Sequence, residues 1–76
     1  MKIAFILLNM DLGYNKSTIE SLESLPEVQY VYQLYGVYDV IVKVECDSIE
    51  AIKDFIANKL RINPEIKSSL TNLVVD

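Results

Sequence analysis

The chain has 76 residues, about half of them apolar, with seven Lys and Arg against eleven Asp and Glu. That length holds one domain, residues 1–76, and a domain so small has a marginal core of its own, so the apolar excess predicts surface kept for a partner chain. The acidic balance and scattered cations count against direct DNA or RNA binding, which needs clustered Lys and Arg to displace counterions.

No helix-turn-helix segment is visible, and nothing reads as a signal peptide. The apolar run at residues 3–8 is far short of the roughly 20 residues that span a bilayer. Cys46 is the single cysteine, so no internal disulfide can form. A reducing, cytoplasmic setting without a membrane follows as the expectation.

In chain order, residues 3–8 are continuously apolar and predict a central strand buried on both faces. Residues 9–15 read as a loop. Ser17 and Glu20 have capping-box spacing, Ile19, Leu22 and Leu25 recur on one helical face, and Pro26 stops that helix. Residues 28–34 alternate, with Val28, Tyr30, Tyr32 and Leu34 on one side and Gln29, Val31 and Gln33 on the other. A turn carrying Gly36 and Asp39 follows, where a tight reversal would use the positive φ open to glycine. Val40, Val42, Val44 and Cys46 then share one strand face, against Ile41, Lys43 and Glu45. Asp47 and Glu50 repeat the capping-box spacing, and Ile49, Ile52, Phe55, Ile56 and Leu60 form a helical stripe. Asn63-Pro64 ends it, and residues 66–75 supply a last strand.

The order is β-α-β-β-α-β, the split βαβ of ferredoxin-like α+β folds, with two helices on one face of a four-stranded antiparallel sheet. The first and third strands should be central. The other sheet face would expose apolar side chains, which predicts a homodimer packed sheet against sheet.

Catalytic chemistry is poorly provided for. Histidine is absent, and Cys46 has no base to activate it, so a buried apolar filler is its plainer role. Glu45, Cys46 and Asp47 are adjacent and point to alternate strand faces, which does not converge on a metal. Gly13 and Gly36 are isolated, so no phosphate-cradling loop exists. No cofactor is expected. Two polar groupings remain. Tyr35 and Tyr38 beside Asp39 either serve sheet packing and contact area or wall a small pocket. Ser68, Ser69, Thr71 and Asn72 either form a solvated edge strand or offer hydroxyls to a small zwitterion, with Asp39 attracting its ammonium and turn N–H groups its carboxylate.

Leu25-Pro26-Glu27-Val28, then Gly36-Val37-Tyr38-Asp39 with the apolar strand after it, then Ile62-Asn63-Pro64-Glu65-Ile66 before Ser69-Leu70-Thr71, occur in one family in this order and spacing. The whole chain resembles the effector-binding (RAM) domain of Lrp/AsnC transcriptional regulators, in a stand-alone form without the helix-turn-helix domain. The resemblance implies a ferredoxin-like fold, dimers formed through the sheets, octamer-type rings of dimers, and amino-acid effectors bound between dimers. It places Gly36, Tyr38 and Asp39 in the turn lining the effector site, with Ser69 and Thr71 at the last-strand hydroxyl positions. Tyr35 departs from the family, which usually has a small hydroxyl residue there, and its bulk bears on pocket size.

The function expected is a non-enzymatic, amino-acid-sensing oligomerisation module that acts on full-length Lrp/AsnC regulators. The alternatives are a small dimeric ferredoxin-like monooxygenase or isomerase, and a scaffold that binds no ligand.

Overall fold

The computed structural model describes residues 1–75. Four strands, β1 (Lys2–Met10), β2 (Val28–Gln33), β3 (Val40–Cys46) and β4 (Ile66–Leu73), form one antiparallel sheet in the order β2-β3-β1-β4. Helices α1 (Lys16–Glu23) and α2 (Ile49–Phe55), the latter running on into a π-helical turn at Ile56–Leu60, complete the β-α-β-β-α-β order. The fold is the ferredoxin-like one, and β1 and β3 occupy its centre.

The core follows from strand alternation. Ala4, Ile6, Leu8 and Met10 of β1 and Val40, Val42, Val44 and Cys46 of β3 are all buried under the helices. From above, Ile19 and Leu22 of α1 and Ile52, Phe55, Ile56 and Leu60 of the second helical segment close on them. Register pairs Ile6 with Val42 and Leu8 with Val40, so the helix-facing side chains meet in rows. Ile3, Phe5 and Leu7 take the opposite, open face, where they are half-buried beside Ile41.

The element boundaries differ from the sequence reading in particular ways. Strand β1 continues through Asn9 and Met10, because a bulge there lets it keep pairing with β4 as far as Ile66. Helix α1 is capped by Asn15, not Ser17. The Asn15 side chain accepts from the Ser17 N–H at 3.0 Å and the Thr18 N–H at 3.4 Å, while Thr18 Oγ1 accepts from the Asn15 N–H. Ser48 rather than Asp47 caps α2, accepting from the Ala51 N–H at 3.1 Å. Both are side chains short enough to fold back on the first turn.

A register shift between Val28 and Tyr30 breaks the alternation expected for β2. Val28 and Val31 therefore share the helix side, opposite Val44 and Val42, while Tyr30 and Tyr32 stack on the open face with ring centroids 4.6 Å apart. A bulge adds one residue and flips the phase of everything beyond it. Ile49, the first residue of the predicted stripe, is 38% exposed, and the π-helical turn returns Leu60 to the core. The last strand ends at Leu73; beyond it Val74 N–H still donates to Ile3 O at 2.9 Å. No helix among the described residues is long and apolar enough to cross a membrane.

Candidate functional site

Between β2 and β3 the chain reverses over residues 34–39. The loop is closed by Leu34 N–H donating to Asp39 O at 2.7 Å and tied to β1 by Asp39 N–H donating to Leu8 O at 2.9 Å. The reversal is too wide to need a left-handed residue. Gly36 is not at positive φ, unlike Gly13 at φ 89°, so the conformational reason expected for its glycine does not apply. Nor is space the reason: apart from its two chain neighbours, no atom of the described residues lies within 4 Å of where a Cβ on Gly36 would stand.

Around Gly36 the tip projects into solvent. Tyr35 is fully exposed and Val37 is 86% exposed, whereas Tyr38 and Asp39 are half-buried. Asp39 carries a structural duty that its sequence context did not reveal. Its Oδ2 accepts from the Met10 N–H at 2.7 Å, just past Leu8–Val40, the last pair of the β1–β3 ladder. The carboxylate thereby satisfies a backbone donor that the end of the β1–β3 ladder leaves free.

Ser69 and Thr71 lie opposite Leu8 and Ile6 in the β1–β4 register, and so share the helix-facing side of β4. The helices do not extend over this edge, and both residues stay partly exposed. Ser68 and Asn72 fall on the open face, where Asn9 Nδ2 donates to Ser68 Oγ at 3.2 Å. The four polar residues of this strand thus divide between faces by the pleat. Ser69 and Thr71 line hollows beside the second helical segment, and none of those hollows includes a tip residue. The structure brings Gly36, Tyr38 and Asp39 together on one loop, and Ser69 and Thr71 together on one strand face. Within a single chain it does not join the two groups.

Two positions outside the sequence-derived set matter to this region. Glu65, just before β4, accepts from Thr18 Oγ1 with both carboxylate oxygens at 2.8 Å, and its carbonyl accepts from Asp11 N–H at 2.8 Å. It fastens the starts of α1 and β4 to the end of β1. Arg61, at the exit of the π-helical turn, lines the hollows that Ser69 and Thr71 border. As the single arginine of an acidic chain it was visible in the sequence; its placement depended on a π-turn that side-chain periodicity does not encode.

Cys46 sits at the far end of β3, buried. Burial pushes its thiol pKa up, the Glu27 and Asp47 carboxylates push it further, and the Lys59 cation opposes them. Its place in the hydrophobic core gives Cys46 a packing role. Among the described residues no group of His, Cys, Asp or Glu is arranged to hold a metal ion.

Comparison with known proteins gives this architecture its kin. Regulatory protein AsnC of Escherichia coli K12 is 39% identical over 59 residues, a stretch covering 78% of this chain and 39% of AsnC. The chain thus spans well under half of that relative's length. The crystal structure of FFRP-DM1 superposes with a TM-score of 0.94 at 40% identity, covering 99% of this chain and 100% of that one. A hypothetical protein from Pyrococcus horikoshii superposes at 0.93 with 39% identity, covering 100% of this chain and 92% of its own. Residues 3–76 match the model of the Lrp/AsnC ligand binding domain, and the chain belongs to that family.

Proposed function

We propose that this chain is a non-enzymatic amino-acid-sensing and oligomerisation module of the Lrp/AsnC type. It pairs into a homodimer through the open sheet faces, and dimers associate further into an octamer-type ring. The effector binds at contacts between dimers, lined by Gly36, Tyr38, Asp39, Ser69 and Thr71. The signal reaches DNA through full-length regulators that join or respond to the assembly. The 76 residues themselves are acidic and commit both helices to covering the sheet.

One observation carries the reading. The hairpin tip is held firmly by Asp39, yet presents a glycine that nothing within the chain requires, between the exposed Tyr35 and Val37. A rigid, partly apolar projection with bare backbone at its centre suits close approach by a ligand or neighbouring chain. Separation of the tip from Ser69 and Thr71 within one chain fits a site completed by another copy.

The mechanism is linkage. A ligand held between dimers stabilises the ring by its greater affinity for the assembled state than for free dimers. Thermal-shift screening against the twenty amino acids, followed by native mass spectrometry with those that stabilise, tests it. Stabilisation by a few related amino acids together with a rise in assembly size is the expected result. No stabilisation by any of them favours the ligand-free scaffold instead.

A further inference from the structure

Arg61 lines two neighbouring hollows beside β4. One, of about 370 Å³, also contains Lys67 and Ser69; the other, of about 300 Å³, contains Lys53 and Thr71. Together they make a furrow along β4 with three cations and three hydroxyls, those of Ser69 and Thr71 on the helix-facing side and that of Ser68, which already accepts from Asn9 Nδ2, on the open face. Among the described residues no Asp or Glu lines either hollow. Among the described residues the ion pair found is Lys59–Glu27, so the three furrow cations are not engaged in salt bridges. In a chain of net charge −4 that local excess of positive charge is a departure from its surroundings.

We propose that this furrow is a carboxylate-binding subsite, with Arg61 as its charged anchor and the Ser69 and Thr71 hydroxyls as supporting donors. A planar guanidinium offers paired N–H donors that match the two oxygens of a carboxylate, and a hydroxyl donates one bond more. The π-helical turn sets this up. Its Arg61 N–H donates to Ile56 O at 2.9 Å, the five-residue step that takes Arg61 off the core-facing stripe once Leu60 is buried.

A singly charged ligand fits better than phosphate. The furrow lies at a helix C-terminus, whose unpaired carbonyls carry partial negative charge and disfavour a dianion. There is one guanidinium, and no glycine-rich loop of backbone donors of the kind phosphate sites use. The inference rests on the reading of Ser69 and Thr71 as ligand-facing hydroxyls. It adds that they take the acid end of the amino acid, leaving the ammonium for Asp39.

The test is an amide-resolved NMR titration of the whole chain with acetate and, separately, inorganic phosphate at constant ionic strength, on wild type, Arg61→Gln and Arg61→Lys. Acetate should give saturable shifts at the Ser69 and Thr71 amides. Arg61→Gln should weaken them about tenfold or more, and Arg61→Lys should fall between. Arg61 is exposed, so an unchanged spectrum elsewhere verifies the fold. Absence of acetate shifts there, shifts undiminished in Arg61→Gln, or saturation by phosphate with acetate inert each overturns the subsite.

Calorimetry with L-amino acids and their carboxamides separates this inference from the wider one. Acetate shifts that need Arg61, with no amino acid bound, leave the subsite standing and remove the sensing function. An amino acid bound as tightly as its carboxamide overturns the role given to Arg61.

Discussion

The Asp39 carboxylate lies 2.7 Å from the Met10 N–H, so the residue proposed to read a ligand's ammonium also pins the hairpin tip to β1. The two duties can be separated by substitution. Asp39→Asn keeps an oxygen acceptor for Met10 and loses the charge, whereas Asp39→Ala leaves a part-buried N–H unpaired at about 1–3 kcal/mol. Urea denaturation should place Asp39→Asn close to wild type and Asp39→Ala clearly below it. Calorimetry should find amino-acid binding lost in both. Undiminished binding by Asp39→Asn would remove the ammonium from this site.

How far this was legible beforehand differs by element. Continuous apolar character in residues 3–8 and strict alternation in residues 40–46 specified the central strands, which pair with each other in unbroken register from Lys2–Cys46 to Leu8–Val40. The bulge near Gln29 was not legible. Val28 and Tyr30 read as one face, and only pairing with β3 shows that an extra residue intervenes. Both predicted caps were displaced because the helices start elsewhere: Asn15 caps two residues before Ser17, and Ser48 one residue after Asp47. At the hairpin tip, Gly36 and Asp39 were singled out by their type, but for a partly wrong reason. The turn needs no positive φ, and the carboxylate's backbone partner is 29 residues away in sequence.

Thr18 is the buried polar side chain of the core, 3% exposed, and its hydroxyl donates to Glu65. Thr18→Val preserves shape and removes both the donor to Glu65 and the long 3.4 Å acceptor for the Asn15 N–H. Hydrogen bonds to charged groups contribute about 1.5–3 kcal/mol. The denaturation midpoint should fall by a corresponding amount with the slope unchanged. Because Glu65 O also accepts from the Asp11 N–H, hydrogen exchange at Asp11 should quicken more than at Val42. An unchanged midpoint would show that this contact does not secure the β4 start.

Lys59 Nζ donates to Glu27 at 2.7 Å, and that hydrogen bond holds the Glu27 pKa below its ordinary value against the opposing effect of burial. A carboxyl whose folded pKa is depressed contributes stability above its unfolded pKa. That contribution is lost as pH falls through the folded value. Both side chains are substantially exposed, so the pair is worth about 0.2–1 kcal/mol and weakens with salt. Glu27→Gln should therefore cost that much near neutral pH, with the difference from wild type vanishing in acid below the usual carboxylate range. A cost that persists there would mean the residue acts through packing, not charge.

Leu70 is 46% exposed on the open face of β4, opposite Leu7 of β1. Nothing in the single chain gains from an apolar side chain there, so Leu70→Glu should change chain stability by about 0.5 kcal/mol or less. A homodimer packed sheet against sheet would bury this position, and an unpaired carboxylate in such an interface is costly. Dilution series in native mass spectrometry should show the dimer of wild type at micromolar concentration and at least tenfold weaker association of Leu70→Glu. Exposed edge strands offer another route to a dimer, pairing β4 with a second β4, and that contact would leave Leu70 facing solvent. Equal dimerisation by the variant would thus move the interface from the open face to the sheet edge. A wild type that stays monomeric would remove the dimer altogether.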